Sequence, residues 1–236
     1  MLAGGMILSA PVVLPALAVQ GLAQDAEDSA TFRHMTDKVR AGEMAALRQC
    51  TIACNSMAAD VVGPEERHGL RAEAARALIA AAGPAPQPQD VVPLVVAYDL
   101  VSEQETPAGR IAIDEAAVRK AYDLLRRPDF EPLARRSPWT PYGGFDSVVN
   151  SVYGKHLALR TRSLPSSETD AFFRRCAATV RSAYPSPYKP RASAICSTAY
   201  QATYAADPPG ELRKIWIEAD FTSMRGGPVR PRRPGA

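Results

Sequence analysis

The segment between residues 139 and 156 concentrates the side chains that are best suited to bind a ligand. Three aromatic residues there surround a flexible Gly143-Gly144 pair, and a carboxylate and an imidazole follow. Aromatic rings with polar edges suit sugars and peptides, and a nearby acid and base could exchange a proton with such a ligand. The candidate ligand-binding residues are Trp139, Tyr142, Phe145, Asp146, Tyr153 and His156.

The same segment also has a purely structural interpretation, which the sequence favours. Aromatic residues in a proline-rich loop often cover a hydrophobic core, and Asp146 stands where it would cap the helix that follows. We therefore assign no catalytic residue. Ligand binding by the whole cluster, and catalysis by Asp146 and His156, stay open as alternatives.

Four cysteines are the second group with chemical potential: Cys50, Cys54, Cys176 and Cys196. An even number of cysteines in an exported chain is typical of disulfides. Two helical patterns flank Pro185-Ser186-Pro187, and a hairpin centred there places Cys176 opposite Cys196. A bond between them would close a loop of about 20 residues and stabilise the fold by about 3 kcal/mol.

Cys50 and Cys54 lie four residues apart, so a helix would place both on one face. A direct bond lies at the wide edge of disulfide geometry unless the helix frays at Cys54, and bonds to Cys176 and Cys196 are the alternative. No second closely spaced pair of metal ligands is present. The sequence therefore predicts no metal site and no cofactor.

The sequence also contains clusters of charged residues, and none of them has the spacing of a known catalytic motif. The acidic pairs at residues 65–66 and 114–115 fall at predicted helix N-termini, where acids interact favourably with the helix dipole. No phosphate loop, nucleophile elbow or His-Glu-x-x-His motif occurs. Six arginines could form one basic face, although a solvated surface is the simpler interpretation: Arg126, Arg127, Arg135, Arg136, Arg160 and Arg162.

The elements that must position these residues are helices. Apolar residues at three-to-four spacing predict one amphipathic helix over residues 29–58, with Gly42 as its weak point. Gly63-Pro64 starts a second helix that Gly83 ends. Residues 83–90 carry alternate prolines, which predict a stiff, extended segment and a possible subdomain boundary.

The second half of the chain is also mainly helical. Residues 91–101 fit a buried helix capped by Asp90 slightly better than a strand, and Asp114 caps the next helix. Residues 128–144 indicate a loop, and residues 214–221 a short strand or a last helical turn. Three more helices are expected to begin near Ser147, at Ser166 or Ser167, and near residue 192. We expect a mainly α fold, an irregular disulfide-stapled helical bundle with Pro-rich loops and at most a short strand pair.

The N-terminal segment predicts export. Residues 7–23 are uncharged and mostly apolar, small residues precede a cleavage point after Ala23, and acidic residues follow. A basic n-region is missing, so a retained hydrophobic anchor is the alternative, with membrane association through residues 7–23. We expect residues 1–23 to be this signal or anchor, residues 24–224 to form one α-helical domain, and residues 225–236 to form a disordered basic tail.

Composition narrows the class of function. The chain has 236 residues, 46% of them apolar, and a net charge of +3, which excludes an intrinsically disordered protein. Four of the basic residues lie in the C-terminal tail, and the rest of the chain is nearly neutral, so no specific nucleic-acid binding is expected. We expect an exported bacterial envelope protein that acts as a non-enzymatic binding, scaffold or inhibitor-type subunit with a protein partner. The alternatives are an enzyme acting on cell-wall glycan or peptide, and a membrane-anchored assembly component.

Overall fold

Helices dominate the structure. The computed structural model describes residues 16–105, 111–136, 145–181 and 189–203, and 81% of these residues are helical. The predicted fold class, a mainly α bundle with two disulfides, is thereby confirmed. The described helices are α1 (Ala16–Arg40), α2 (Met44–Ala53), α3 (Pro64–Ala81), α4 (Val91–Val101), α5 (Glu115–Leu125), α6 (Phe130–Arg136), α7 (Phe145–Thr161), α8 (Ser166–Arg181) and α9 (Lys189–Thr203).

The predicted helix over residues 29–58 is in fact two helices. Helix α1 ends at Arg40, and Gly42 adopts a φ of +74°, a left-handed conformation that ends the helix and turns the chain. The apolar stripe continues into α2, where Ala46 and Cys50 are buried. The periodicity was correct, but one glycine sufficed to divide the helix. A short 3-10 helix, Cys54–Ser56, then follows α2.

The predicted loop over residues 128–144 contains helix α6. Pro132 is its third residue, and the first turn of a helix tolerates proline because its N–H groups need no partner within the helix. The half-buried ring of Phe130 packs against Phe145, with ring centroids 6.1 Å apart. Residues 137–144 lie outside the described residues, as do residues 214–221 and the basic tail.

Several predicted helix ends are confirmed. Pro64 begins α3, and Gly83 follows its end with a φ of +59°. Asp114 caps α5, where its carboxylate accepts hydrogen bonds from the backbone N–H groups of Ala116 and Ala117 at 2.9 and 3.1 Å. Asp90 occupies the predicted N-cap position of α4, but its buried carboxylate makes no capping hydrogen bond and instead accepts from Arg48 Nε at 2.5 Å.

Helix α4 lies at the centre of the protein. Seven consecutive residues, from Val91 to Ala97, are buried, so this helix is covered on every side. Leu94 and Ala97 belong to a core shared with α1, α2 and α3, while Val95 packs with residues of α5 and α7. Between α4 and α5 the chain forms a two-stranded antiparallel hairpin, β1 (Glu103–Glu105) and β2 (Ile111–Ile113).

Two disulfides join the four cysteines in pairs. Cys176 on α8 bonds to Cys196 on α9, with Cα atoms 5.5 Å apart, as the predicted hairpin requires. Cys50 bonds directly to Cys54, with Cα atoms 4.5 Å apart, rather than to the second pair. The α-helix ends at Ala53 and gives way to the 3-10 helix, which is the local departure from α-helix that this short bond was expected to need.

Helix α1 passes through the predicted cleavage point. It begins at Ala16 and continues without interruption past Ala23 to Arg40. Residues 1–15 lie outside the described part of the chain. Among the described helices, none is both long enough and apolar enough to cross a bilayer.

Helices α7 and α9 make their closest approach at a glycine. A Cβ atom on Gly154 would lie 2.5 Å from Thr198 Cβ and 2.8 Å from the Ile195 carbonyl oxygen. Both distances are shorter than van der Waals contact. We therefore expect Gly154→Ala to push α9 away and lower the free energy of unfolding by about 1–3 kcal/mol in urea titrations.

Gly69 offers the matched control for this substitution. It is exposed within α3, and a Cβ atom at this position would meet nothing within 4 Å. Gly69→Ala should raise the free energy of unfolding by up to about 1 kcal/mol, because alanine is the better helix former. Equal shifts in the two variants would contradict the close approach of α7 and α9.

Candidate functional site

The structure does not gather the predicted ligand-binding cluster into one site. Trp139 and Tyr142 lie outside the described residues. The other four members all lie on α7, where they point in different directions. Half-buried Phe145 and Tyr153 pack against the core formed by α4, α5 and α7. Asp146 is exposed in the first helical turn, because α7 begins one residue before it, and it is therefore not the predicted cap.

His156 has a different environment from the rest of the cluster. Its imidazole ring stacks on the ring of Tyr122 from α5, with centroids 3.6 Å apart and planes inclined by 4°. The ring of Tyr153 meets the same Tyr122 ring edge-on, with centroids 5.6 Å apart. The Nδ1 atom of His156 is buried and has no hydrogen-bond partner within the described residues. The stack fixes the imidazole between the two helices.

The stacked pair lies in a cavity that we call the α5–α7 cleft. The cleft has a volume of about 750 Å³, which is within the usual range for small-molecule sites. Residues of α5 form one wall, and residues at the end of α7 and just after it form the other. Its charged lining residues are Glu115, Arg119, Asp123, Arg126, Arg160 and Arg162.

Three of the six arginines considered from sequence meet in this cleft. Arg126, Arg160 and Arg162 line it together, and Arg119 joins them. The other three lie elsewhere. Arg127 pairs with Asp129, and Arg135 and Arg136 are on the exposed side of α6. The hypothesis of one continuous basic face is therefore only partly correct.

The arginines of the cleft differ in how they are neutralised. Arg119 forms an ion pair with Glu115 one helical turn before it. Arg126 lies 5.8 Å from the centroid of the Tyr122 ring, a cation–π distance, and Arg162 Nη2 donates to the Ala202 carbonyl at 3.0 Å. Within the described residues, Arg126, Arg160 and Arg162 have no carboxylate partner.

The cleft changes the acidity of His156. Partial burial lowers the pKa of the imidazole below its ordinary value, and the positive charges of Arg160, Arg119 and Arg126 lower it further. Asp123 acts in the opposite direction but does not outweigh them. His156 is therefore neutral at pH 7, and an anion bound near these arginines would favour its protonation.

No protein family, curated protein or solved structure matches this chain. The α5–α7 cleft must therefore be interpreted from its own chemistry. Four guanidinium groups around a cavity of small-molecule size are suited to holding a carboxylate or phosphate, because the planar guanidinium fork can donate two parallel hydrogen bonds to such groups.

A second group of polar residues surrounds Lys155, the residue before His156 in the sequence. This side chain is 3% exposed, and its Nζ lies 2.7 Å from Asp99 Oδ1 and 2.8 Å from Glu103 Oε1. It also donates to Ser102 Oγ at 3.0 Å, and Ser151 Oγ donates to the same Asp99 oxygen at 2.9 Å. The network joins α4, the residues after it and α7.

This network has a structural role. A lysine beside a serine could activate it as a nucleophile, but Ser102 is fully buried and Lys155 is held by two carboxylates. Burial raises the pKa of Asp99, and the hydrogen-bonded ammonium of Lys155 opposes this rise. Lys155 precedes His156 directly, so the network holds the part of α7 that carries the cleft residues.

The part of the chain that the structure describes contains no group of side chains that could hold a metal ion. No three His, Cys, Asp or Glu side chains come together there. The four cysteines, whose sulfur atoms are the best ligands for zinc, are bonded to one another in pairs.

The spacing of the cleft residues is a signal for the cleft in the sequence. Arg119, Tyr122 and Arg126 are spaced by three and four residues, and His156 and Arg160 by four, so each set shares one helix face. Both helices were predicted, but their pairing is a tertiary contact that the spacing within each helix does not reveal. The Lys155 network was missed because Lys155 is more than 50 residues from Asp99 and Ser102 along the chain.

The His156 environment predicts a dependence of stability on pH. The pKa of His156 is lowered in the folded state and is about 6.5 in the unfolded chain, so the unfolded state binds the proton first on acidification. We expect the free energy of unfolding to fall as the pH drops below about 6.5 and to level off below the folded-state pKa. Urea titrations between about pH 7.5 and pH 4.5 would measure this slope.

Substitutions separate His156 from other groups that titrate in the same range. His156→Gln should remove part of the slope, whereas His68→Gln, an exposed position on α3, should leave it unchanged. An unaltered slope in His156→Gln would contradict the proposed environment of this histidine.

Proposed function

We propose that the protein is an exported component of the bacterial cell envelope that binds an anionic ligand in the α5–α7 cleft and acts by binding rather than by catalysis. The observation that carries the proposal is the lining of the cleft, where Arg126, Arg160 and Arg162 face one cavity without a carboxylate partner in the described residues. Such charges repel one another. A bound anion would relieve this repulsion.

The disulfides support the compartment in this proposal. Both cysteine pairs are bonded, and the described residues contain no free cysteine. Disulfides persist in oxidising compartments such as the bacterial periplasm and are rare in the cytosol. The proposal holds whether the chain is cleaved after Ala23 or keeps residues 1–23 as an anchor, since neither outcome involves the cleft.

A protein partner fits the proposal as the carrier of the anionic group or as a neighbour in a larger assembly. The cleft is open to solvent, and its arginines are exposed at its rim.

An enzyme acting on cell-wall glycan or peptide is the alternative. It would need Asp146 to face a second carboxylate, whereas exposed Asp146 is not among the residues that line the cleft.

Titration calorimetry with simple anions tests the binding site. We expect sulfate and citrate to bind the oxidised protein, glucose not to bind, and the affinity to fall as the salt concentration rises. The double variant Arg126→Gln/Arg160→Gln should weaken sulfate binding by at least about tenfold, through the loss of two charge-assisted contacts.

The control variant removes the same charge from another surface. Arg33→Gln/Arg76→Gln changes two exposed arginines on α1 and α3, outside the cleft. It should bind sulfate as the wild type does. Absence of sulfate and citrate binding, or equal weakening in both double variants, would refute the binding site.

Intact-mass measurement tests the export. Protein produced with its native N-terminus should resist thiol alkylation until it is reduced, and then take up four alkyl groups. Loss of residues 1–23 would identify a cleaved signal, and their retention would identify the anchor. Immediate alkylation of all four thiols in freshly isolated protein would refute residence in an oxidising compartment.

A further inference from the structure

The α5–α7 cleft carries an excess of two positive charges that no side chain in it balances. Arg119 and Glu115 form an ion pair and cancel. The remaining charged lining residues are Asp123 and three arginines, so the cleft is suited to an anion of charge −2 rather than −1. This step goes further than anion binding, because it selects among anions by charge.

The arrangement of the arginines selects among dianions. Arg126 directly follows the last residue of α5, whereas Arg160 and Arg162 come from the end of α7 and the residue after it. Cations on two walls of one cavity suit an anion whose oxygen atoms point in several directions. A phosphate monoester carries three terminal oxygens and a charge close to −2 above its second pKa of about 6. A carboxylate offers only two oxygens and one charge.

Larger polyanions are poor ligands for the cleft because of its size and its acidic lining. A volume of about 750 Å³ accommodates a small molecule or one exposed group of a larger one. Asp123 stands among the arginines and would repel a continuous phosphate backbone. The stacked Tyr122 and His156 rings provide a rigid, partly apolar surface beside the cations, suited to the organic part of an ester.

From these observations we propose that the α5–α7 cleft is a binding site for a phosphate monoester dianion, with Arg126, Arg160 and Arg162 as its contacts. The inference rests on the proposed function and names the ligand chemistry of the same site. The ester can belong to a soluble metabolite or to the headgroup of a lipid, since both present the same three oxygens.

Methyl phosphate and methyl sulfate provide a matched pair of probes. They have the same shape, but at pH 8 methyl phosphate is a dianion and methyl sulfate a monoanion. Calorimetric titration of the full, oxidised chain at pH 8 should give an affinity for methyl phosphate about tenfold higher than for methyl sulfate. Arg126→Gln/Arg160→Gln should abolish the preference, and Arg33→Gln/Arg76→Gln should retain it.

The outcomes separate this inference from the proposed function. Equal affinities for methyl phosphate and methyl sulfate would overturn the selection for a dianion while leaving an anion site in place. Succinate binding as tightly as methyl phosphate would overturn the preference for phosphate. Failure of all three probes and of sulfate would refute the anion site itself. Circular dichroism of each variant establishes that loss of binding is not loss of fold.

Vesicles distinguish the two sources of the ester. Phosphatidic acid at about 25% in phosphatidylcholine exposes a phosphate monoester, and vesicle binding that methyl phosphate displaces would support the inference with a lipid source. Binding of methyl phosphate without vesicle binding would support it with a soluble source. Vesicle binding that persists in Arg126→Gln/Arg160→Gln and is not displaced by methyl phosphate would overturn it for lipids, because the attraction would then come from another surface.

Discussion

Lys155→Met is expected to lower the free energy of unfolding by about 3 kcal/mol, measured by urea titration at pH 7. The substitution keeps an unbranched side chain that is only one atom shorter and removes its charge, which leaves Asp99 largely buried without its main partner. Breaking a buried ion pair from one side costs about 3–5 kcal/mol. The lower end applies because Asp99 keeps its hydrogen bond from Ser151 and Glu103 is half exposed.

Two further variants isolate the buried charge as the cause. Adding Asp99→Asn to Lys155→Met should recover a large part of the loss, because the neutral amide still accepts the Ser151 hydrogen bond. Lys120→Met, an exposed lysine on α5, should change stability by less than about 0.5 kcal/mol. If Lys155→Met cost no more than Lys120→Met, the ion-pair network would contribute nothing to the fold.

The bond between Cys176 and Cys196 is expected to stabilise the protein by about 3 kcal/mol, and that between Cys50 and Cys54 by about 2 kcal/mol. In the chain-entropy model the stabilisation grows with the length of the closed loop, and the two sequence separations are 20 and 4. The contribution of each bond is the difference in the free energy of unfolding between oxidised and reduced protein, measured in a variant that lacks the other pair.

Two alanine variants make this measurement. Cys50→Ala/Cys54→Ala retains only the α8–α9 bond, and Cys176→Ala/Cys196→Ala retains only the bond at the end of α2. Each is unfolded in urea with and without a reductant, so that any cavity left by alanine cancels. A larger effect of reduction in the second variant would contradict the expected order.

The helices were largely predictable, since their positions depend on local spacing and caps. Asp114 and Gly83 marked helix ends correctly because capping and left-handed turns act within a few residues. Gly42, expected only to weaken one helix, and Pro132, within the predicted loop, were misjudged in opposite directions. The glycine did more than weaken a helix, and the proline occupied a first turn that tolerates it.

The site was less predictable, because it depends on which helices pack together. Proximity along the chain suggested a cluster from Trp139 to His156, but on one helix Phe145, Tyr153 and His156 reach different surroundings. The ring that stacks on His156, that of Tyr122, comes from α5, and the contact between α5 and α7 forms only in the folded protein. Lys155 showed no signal at all, since a single lysine in a helix normally faces solvent.

The order of the disulfides along the chain has a consequence for biogenesis. The bonds join the first cysteine to the second and the third to the fourth, so neither bond encloses or crosses the other. When the chain emerges with its N-terminus first, each pair of thiols can therefore be oxidised as soon as both have emerged. The first pair needs only one turn of helix, and the second only a helical hairpin. Correct oxidation of this protein requires an oxidant but no shuffling of wrongly joined partners by an isomerase.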